Sequence, residues 1–170
     1  MIEVLKYTLP AIIVLIAAWI VLSKEMANED ARRNFEVRRN AQNVSQPIRL
    51  RAYERLALML ERTTPEFMLL NIQFQGMTAA QLQVQLLKMI REEFDHNTAQ
   101  QIYVSDDTWM AIISARESLL GLVNTCTMHV GIDAPAMKLA QTMLTAYASN
   151  GETNNQKAMA LLKKEVREIM

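Results

Sequence analysis

TAAQLQVQLLKMIREEFDHN (Thr78–Asn97) decides the fold class. Thr78 and Gln81 stand three apart just ahead of an apolar run. In this capping-box pattern each side chain satisfies the other residue's backbone N–H. Leu82, Leu86, Ile90 and Phe94 then recur every fourth residue, which aligns them on one face of a helix over about 79–97. The signals on either side are also helical. Downstream, Ser105 caps a helix whose first turn holds Asp106 and Asp107, as the macrodipole favours. Its apolar face carries Trp109, Ile112, Ile113, Leu119, Leu120 and Val123. Upstream, Thr64-Pro65-Glu66 reads as N-cap, N1 and first-turn acid of a short helix reaching about Ile72, interrupted at Gln75-Gly76.

Further out, about 48–62 forms a helix with Ile48, Ala52, Leu56 and Met59 on one stripe. Leu50, Tyr53, Ala57 and Leu60 run beside it, and so wide a stripe implies a central helix. Asp133 and Pro135 open a helix with Met137, Ala140, Met143, Leu144 and Tyr147 on its face, closed by Gly151 as a left-handed C′ glycine. The last helix, about 155–169, shows Ala158, Leu161, Leu162, Val166 and Ile169. Gln101–Val104 is the one piece that reads as extended. These elements predict an all-α fold, a bundle of five to six amphipathic helices occupying 47–170.

The 170 residues carry 18 Lys+Arg against 18 Asp+Glu, 51% hydrophobic residues, 4 Gly, 4 Pro and 1 Cys. That composition excludes a disordered chain and a disulfide framework. A zero net charge argues against a nucleic-acid partner, which calls for a basic excess.

The N-terminus has a different character. Tyr7–Ser23 (YTLPAIIVLIAAWIVLS) is uncharged and bracketed by Lys6 and Lys24. Seventeen helical residues reach roughly 26 Å, the short end of what a bilayer core requires, with Tyr7 and Trp19 near the interfaces. We expect a transmembrane helix over 7–23, a short non-cytoplasmic tail over 1–6 and a basic helical stalk over 24–46. Lys24, Arg32, Arg33, Arg38 and Arg39 follow the span, whereas Lys6 alone precedes it, so the positive-inside rule leaves the C-terminal bundle in the cytoplasm. The lone Cys126, without an intrachain partner for a disulfide, agrees with that compartment.

The candidates for chemistry are few. Glu93-x-x-His96 has a spacing that di-iron bundles use twice, and it occurs once here; Cys126-x-x-His129 places two more possible ligands one turn apart. Glu93, His96, Cys126 and His129 would form a metal site only if their helices converged. Arg116 projects into the apolar stripe between Ile112, Leu120 and Val123, so it needs a carboxylate, for which Glu93 is the preferred choice, or else must reach the surface from the stripe's edge. Leu58 lies opposite the Ile48 stripe and marks a surface for a partner protein or a second copy. The Gln73, Gln75, Gln81, Gln83 and Gln85 cluster reads as a neutral solvated surface. The sequence has no Gly-rich phosphate loop, no nucleophile elbow and no HExxH, and so points to no cofactor.

QPIRLRAYERLALMLERTTPEFMLL (Gln46–Leu70) and EEFDHNTAQQIYVSDDTW (Glu92–Trp109) resemble blocks of an uncharacterised bacterial family of small single-span proteins. The resemblance covers most of the chain. It implies an inner-membrane setting and supplies no catalytic residue. The expected function is therefore non-enzymatic: a membrane-tethered interaction or scaffolding module with an unknown protein partner. A small metal-dependent enzyme, or a periplasm-facing part of an envelope complex, stands as the alternative.

Overall fold

The structure, a computed structural model, describes residues 46–149 and 151–169, together with Leu15, Ile16, Trp19, Ser23, Lys24 and Glu36. The chain divides into two units, 1–46 and 47–170. The expected span and stalk lie outside the described residues apart from those six and Gln46, all helical. Among the described residues, no helix is long and apolar enough to cross a membrane.

The second unit is all-α. We label its helices α1 (46–62), α2 (Pro65–Asn71), α3 (Ala79–Asn97), α4 (Asp106–Val130), α5 (Ala136–Ser149) and α6 (Asn154–Ile169). In α1, Ala52, Leu56 and Met59 of the expected stripe are buried together with Tyr53 and Leu60 from the row beside it, while Ile48 and Leu50 in the first turn are exposed. Thr63 ends α1 by donating its hydroxyl to the Met59 carbonyl at 2.9 Å. Thr64 caps α2, and Pro65 sits in its first turn. At α3 both halves of the capping box form: the Gln81 N–H donates to Thr78 Oγ1 at 3.3 Å and the Thr78 N–H to Gln81 Oε1 at 3.0 Å.

Between α3 and α4 the chain makes a 3₁₀ helix, Thr98–Tyr103, where the sequence suggested an extended segment. Six residues must reverse the chain between two long helices, and the tighter i→i+3 bonding achieves this without leaving helical geometry. The left-handed C′ role expected of Gly151 turns on its junction with Asn150, which lies outside the described residues. Among the described residues, Gly76 (φ 79°) and Gly131 (φ 89°) are left-handed, in the loops that lead into α3 and α5.

These two loops are joined by backbone. Thr78 and Pro135 form an isolated antiparallel bridge, with Ala79 N–H donating to the Ala134 carbonyl (2.7 Å) and Ala136 N–H to the Met77 carbonyl (3.0 Å). The longest helix, α4, is about 37 Å long and packs against α3, α5 and α6. It runs antiparallel to α3, since Gln83 on α3 meets Asn124 on α4 at 2.9 Å. Asn154 reaches Ser114 while Glu165 reaches Ser105, so α6 runs antiparallel along the N-terminal half of α4.

The core runs through the bundle from Leu56 and Leu162, past Ile112, to Leu82, Leu86, Leu139 and Met143, all about 2% exposed or less. Full burial contributes about 1.5–3 kcal/mol for each such side chain. Met137, expected on the α5 core face, is instead 53% exposed.

Candidate functional site

The densest polar cluster centres on Glu165, on α6. The α6 core residues Leu162 (buried) and Ile169 (half-buried) flank it at i−3 and i+4, so the apolar stripe carries a carboxylate inward. It arrives at the N-terminus of α4, whose first N–H groups have no helical acceptor. The hydroxyls of Ser105 and Thr108 both donate to Glu165 Oε1. Oε2 accepts the Ser105 backbone N–H at 3.3 Å and the Tyr53 hydroxyl from α1 at 2.8 Å. Behind Tyr53, one turn earlier on α1, Arg49 donates to the phenol oxygen at 3.2 Å with its guanidinium 6.0 Å from the ring centre. Ser105 also accepts the Thr108 N–H at 3.2 Å, so it caps α4 while holding Glu165.

Burial would raise the Glu165 pKa, but the hydrogen bonds from Ser105, Thr108 and Tyr53 outweigh it and hold the carboxyl below its ordinary value. Tyr53 moves upward, first through burial and then through its bond to Glu165, with Arg49 opposing. A carboxylate offers about four acceptor positions, and four donors fill them here. Near neutral pH each oxygen of Glu165 is therefore occupied by donors from the protein itself. The arrangement clamps α1, α4 and α6 with a carboxylate beside a shallow cleft of about 370 Å³ lined by Arg49, Tyr103 and Glu168 among others.

The residues singled out from sequence sit elsewhere. Glu93 and Arg116 do not pair: Glu93 lies 3.6 Å from Arg62, and Arg116 bonds its neighbour Glu117 at 2.7 Å. Arg116 leaves the stripe at its edge, its guanidinium 5.3 Å from the centre of the Phe94 ring and its side chain 35% exposed. A half-exposed guanidinium keeps its hydration and needs no buried partner. The metal candidates are not brought together. Antiparallel packing puts His96 at one end of the α3–α4 pair and Cys126 and His129 at the other, about 20 Å apart along the helix axis. Among the described residues, no group of three or more His, Cys, Asp or Glu could hold a metal ion. His96 is exposed, and its carbonyl accepts from Arg55 at 3.2 Å. Cys126 is buried, which pushes its thiol pKa up and makes it a poor ligand or nucleophile.

Leu58 is exposed, but its α1 neighbours at three and four residues, Glu54, Arg55, Glu61 and Arg62, are exposed charges. The broader exposed apolar area lies at the bridged loops, where Val84, Met128, Ile132 and Met137 face solvent. A larger cleft of about 610 Å³, between α4, α5 and α6, is lined by Ser118, Tyr147, Thr153 and Asn154 with Glu152. Its polar groups are hydroxyls and amides with the Glu152 carboxylate.

The sequence reading missed Glu165. The signal was present, a charged residue within an apolar stripe, the same anomaly that drew attention to Arg116. No curated protein and no solved structure matches the chain. The model of a family of unknown function, DUF7935, matches residues 1–169, from the apolar N-terminal stretch to the last turn of α6, and the chain belongs to that family.

Proposed function

We propose that the chain is a membrane-tethered helical interaction or scaffolding module of a bacterial inner membrane. In this reading Tyr7–Ser23 crosses the bilayer, 24–46 is a basic stalk and the bundle faces the cytoplasm. The tether confines the bundle to the membrane surface and raises its effective concentration for a partner there. The observation that carries the reading is apolar exposure. Leu15, Ile16 and Trp19 are helical and 71%, 53% and 70% exposed, within a stretch that has no charged residue. A lipid environment is what such side chains require. The saturated carboxylate at Glu165 supports a structural rather than an enzymatic role for the most polar part of the bundle.

Membrane fractions washed in alkaline carbonate test the tether, and the full chain is expected to stay in the pellet. Release into the wash would overturn it. A C-terminal reporter active only in the cytoplasm is the expected topology result, and activity in the periplasm would reverse the orientation.

A further inference from the structure

Asn155, the second residue of α6, carries an acceptor that the fold leaves unfilled. The residue is only 6% exposed and its amide donates to the Leu60 carbonyl at 3.0 Å, yet no donor meets Oδ1. Every sealed polar side-chain atom among the described residues has a partner, so Oδ1 is not sealed. The Leu60 bond turns the amide towards α1, and Oδ1 opens on the cleft that Leu60 and Asn155 line together. This cleft of about 570 Å³ has the size of a small-molecule site. Its wall also holds Tyr147, half-buried near the end of α5, and two exposed carboxylates, Glu61 at the end of α1 and Glu66 in the first turn of α2. The ion pairs among the described residues engage Glu92, Glu93 and Glu117, and neither Glu61 nor Glu66 has a cation or a donor of its own. The Tyr147 phenol feels both. Burial raises its pKa most, its contact with the Thr153 hydroxyl opposes this, and the charges of Glu66 and Glu61 raise it further.

We propose that this cleft binds a small organic cation, a primary ammonium on a short aliphatic chain. Three kinds of acceptor meet at one end of it: the Glu61 and Glu66 carboxylates, the Tyr147 ring and Asn155 Oδ1. A primary ammonium has three N–H donors to divide among them and is attracted by the ring as well. The rest of the cleft suits the chain, since buried Leu60 with Met159 and Ala160 gives methylenes an apolar floor. Lys163 also lines the cleft but stands away from the acceptor end. Tyr53 meets Glu165 and Leu60 meets Asn155, so α1 and α6 are antiparallel and Glu61 lies level with Asn155. Lys163 is eight residues further on, about 12 Å along α6. An anion would meet two unpaired carboxylates. A metal ion would lack ligands, because among the described residues no group of three or more His, Cys, Asp or Glu could hold one. The proposal goes beyond the tether and stands on the bundle alone.

The test is a titration of the full chain in mild nonionic detergent with n-butylammonium, followed by saturation-transfer NMR. Butanol and butyrate serve as neutral and anionic probes of the same length. Saturable binding of butylammonium alone is expected, in the millimolar range for so small a ligand. Glu61→Gln and Glu66→Gln are each expected to weaken it about two- to fivefold, as exposed charge pairs do, and the double variant to weaken it more than either. Glu168→Gln, a carboxylate beside a different cleft, is expected to leave it unchanged, which separates a site from general attraction to acidic surface. As a second measurement, Tyr147→Leu should weaken binding about two- to fivefold, whereas Tyr147→Phe, which keeps the ring, should not. Butylammonium that never saturates overturns the proposal. So does equal binding of butanol or butyrate, undiminished affinity in the double variant, or an equal loss in Glu168→Gln.

Discussion

Replacing Glu165 with Gln tests the clamp most directly. The substitution preserves shape, removes the charge and turns one acceptor oxygen into an NH₂ donor. With the NH₂ at the Oε1 position the Ser105 and Thr108 hydroxyls can rotate to accept from it, while the amide oxygen keeps the Tyr53 hydroxyl and the Ser105 N–H, so what is lost is the charge that strengthens all four bonds. A hydrogen bond to a charged acceptor contributes about 1.5–3 kcal/mol, and partial solvent access places this site at the low end. Weakening each of the four by about 0.5–0.8 kcal/mol gives a destabilisation of about 2–3 kcal/mol. For a bundle of this size, about 3–5 °C per kcal/mol places the fall in Tm at roughly 6–15 °C. Thermal unfolding of the full chain, followed by far-ultraviolet circular dichroism at pH 7, measures it. The pH dependence adds a second, independent readout. Because the folded pKa lies below the ordinary 4.5, the stabilisation is fully present above that value and is lost as pH falls through the folded pKa. The gap between wild type and Glu165→Gln should therefore close with acidification below pH 4.5. A variant melting within 1 °C of wild type at pH 7, or a gap that widens in acid, would refute the clamp.

Other perturbations have defined outcomes. Asn155→Ala removes a buried donor that reaches the Leu60 carbonyl at 3.0 Å and should cost about 1–3 kcal/mol in chemical denaturation, with little change in m value. Gly131→Ala forces a side chain onto a φ of 89° and should destabilise by more than about 1 kcal/mol although no atom lies within 4 Å of the new Cβ; an unchanged midpoint would show that the loop relaxes. Arg116→Met should change stability by less than about 1 kcal/mol, since it loses only a half-exposed ion pair and a ring contact, whereas an ion pair buried in the stripe would cost about 3–5 kcal/mol when broken.

The local signals were legible in the sequence. The capping box at Thr78, the Thr64-Pro65 start and the Ser105 cap are short-range chemistry, and each appears where its spacing put it. Stripe assignments also transferred, because Leu82, Leu86, Ile90 and Phe94 had only one way to be buried together. What failed depended on distant chain. Tyr53 and Glu165 are 112 residues apart and Ser105 and Glu165 are 60 apart, so helical periodicity could mark Glu165 as anomalous but not name its donors. Of the two readings of Arg116, the partner on α3 failed and the escape from the stripe's edge held, with the guanidinium against Phe94 and Glu117. The metal candidates failed on direction: a Glu-x-x-His and a Cys-x-x-His, each near the end of its own helix, fall at opposite poles once those helices are antiparallel.

The two bridged loops are tied by main-chain groups, Ala79 to Ala134 and Ala136 to Met77. Peptide groups are the same whatever residue bears them, so the stitch makes few demands on the side chains around it. Drift at the exposed Met137, Ile132 or Val84 can then remodel the surface of this pole while the scaffold beneath keeps its shape, so descendants of one ancestor can diverge in surface before they diverge in architecture.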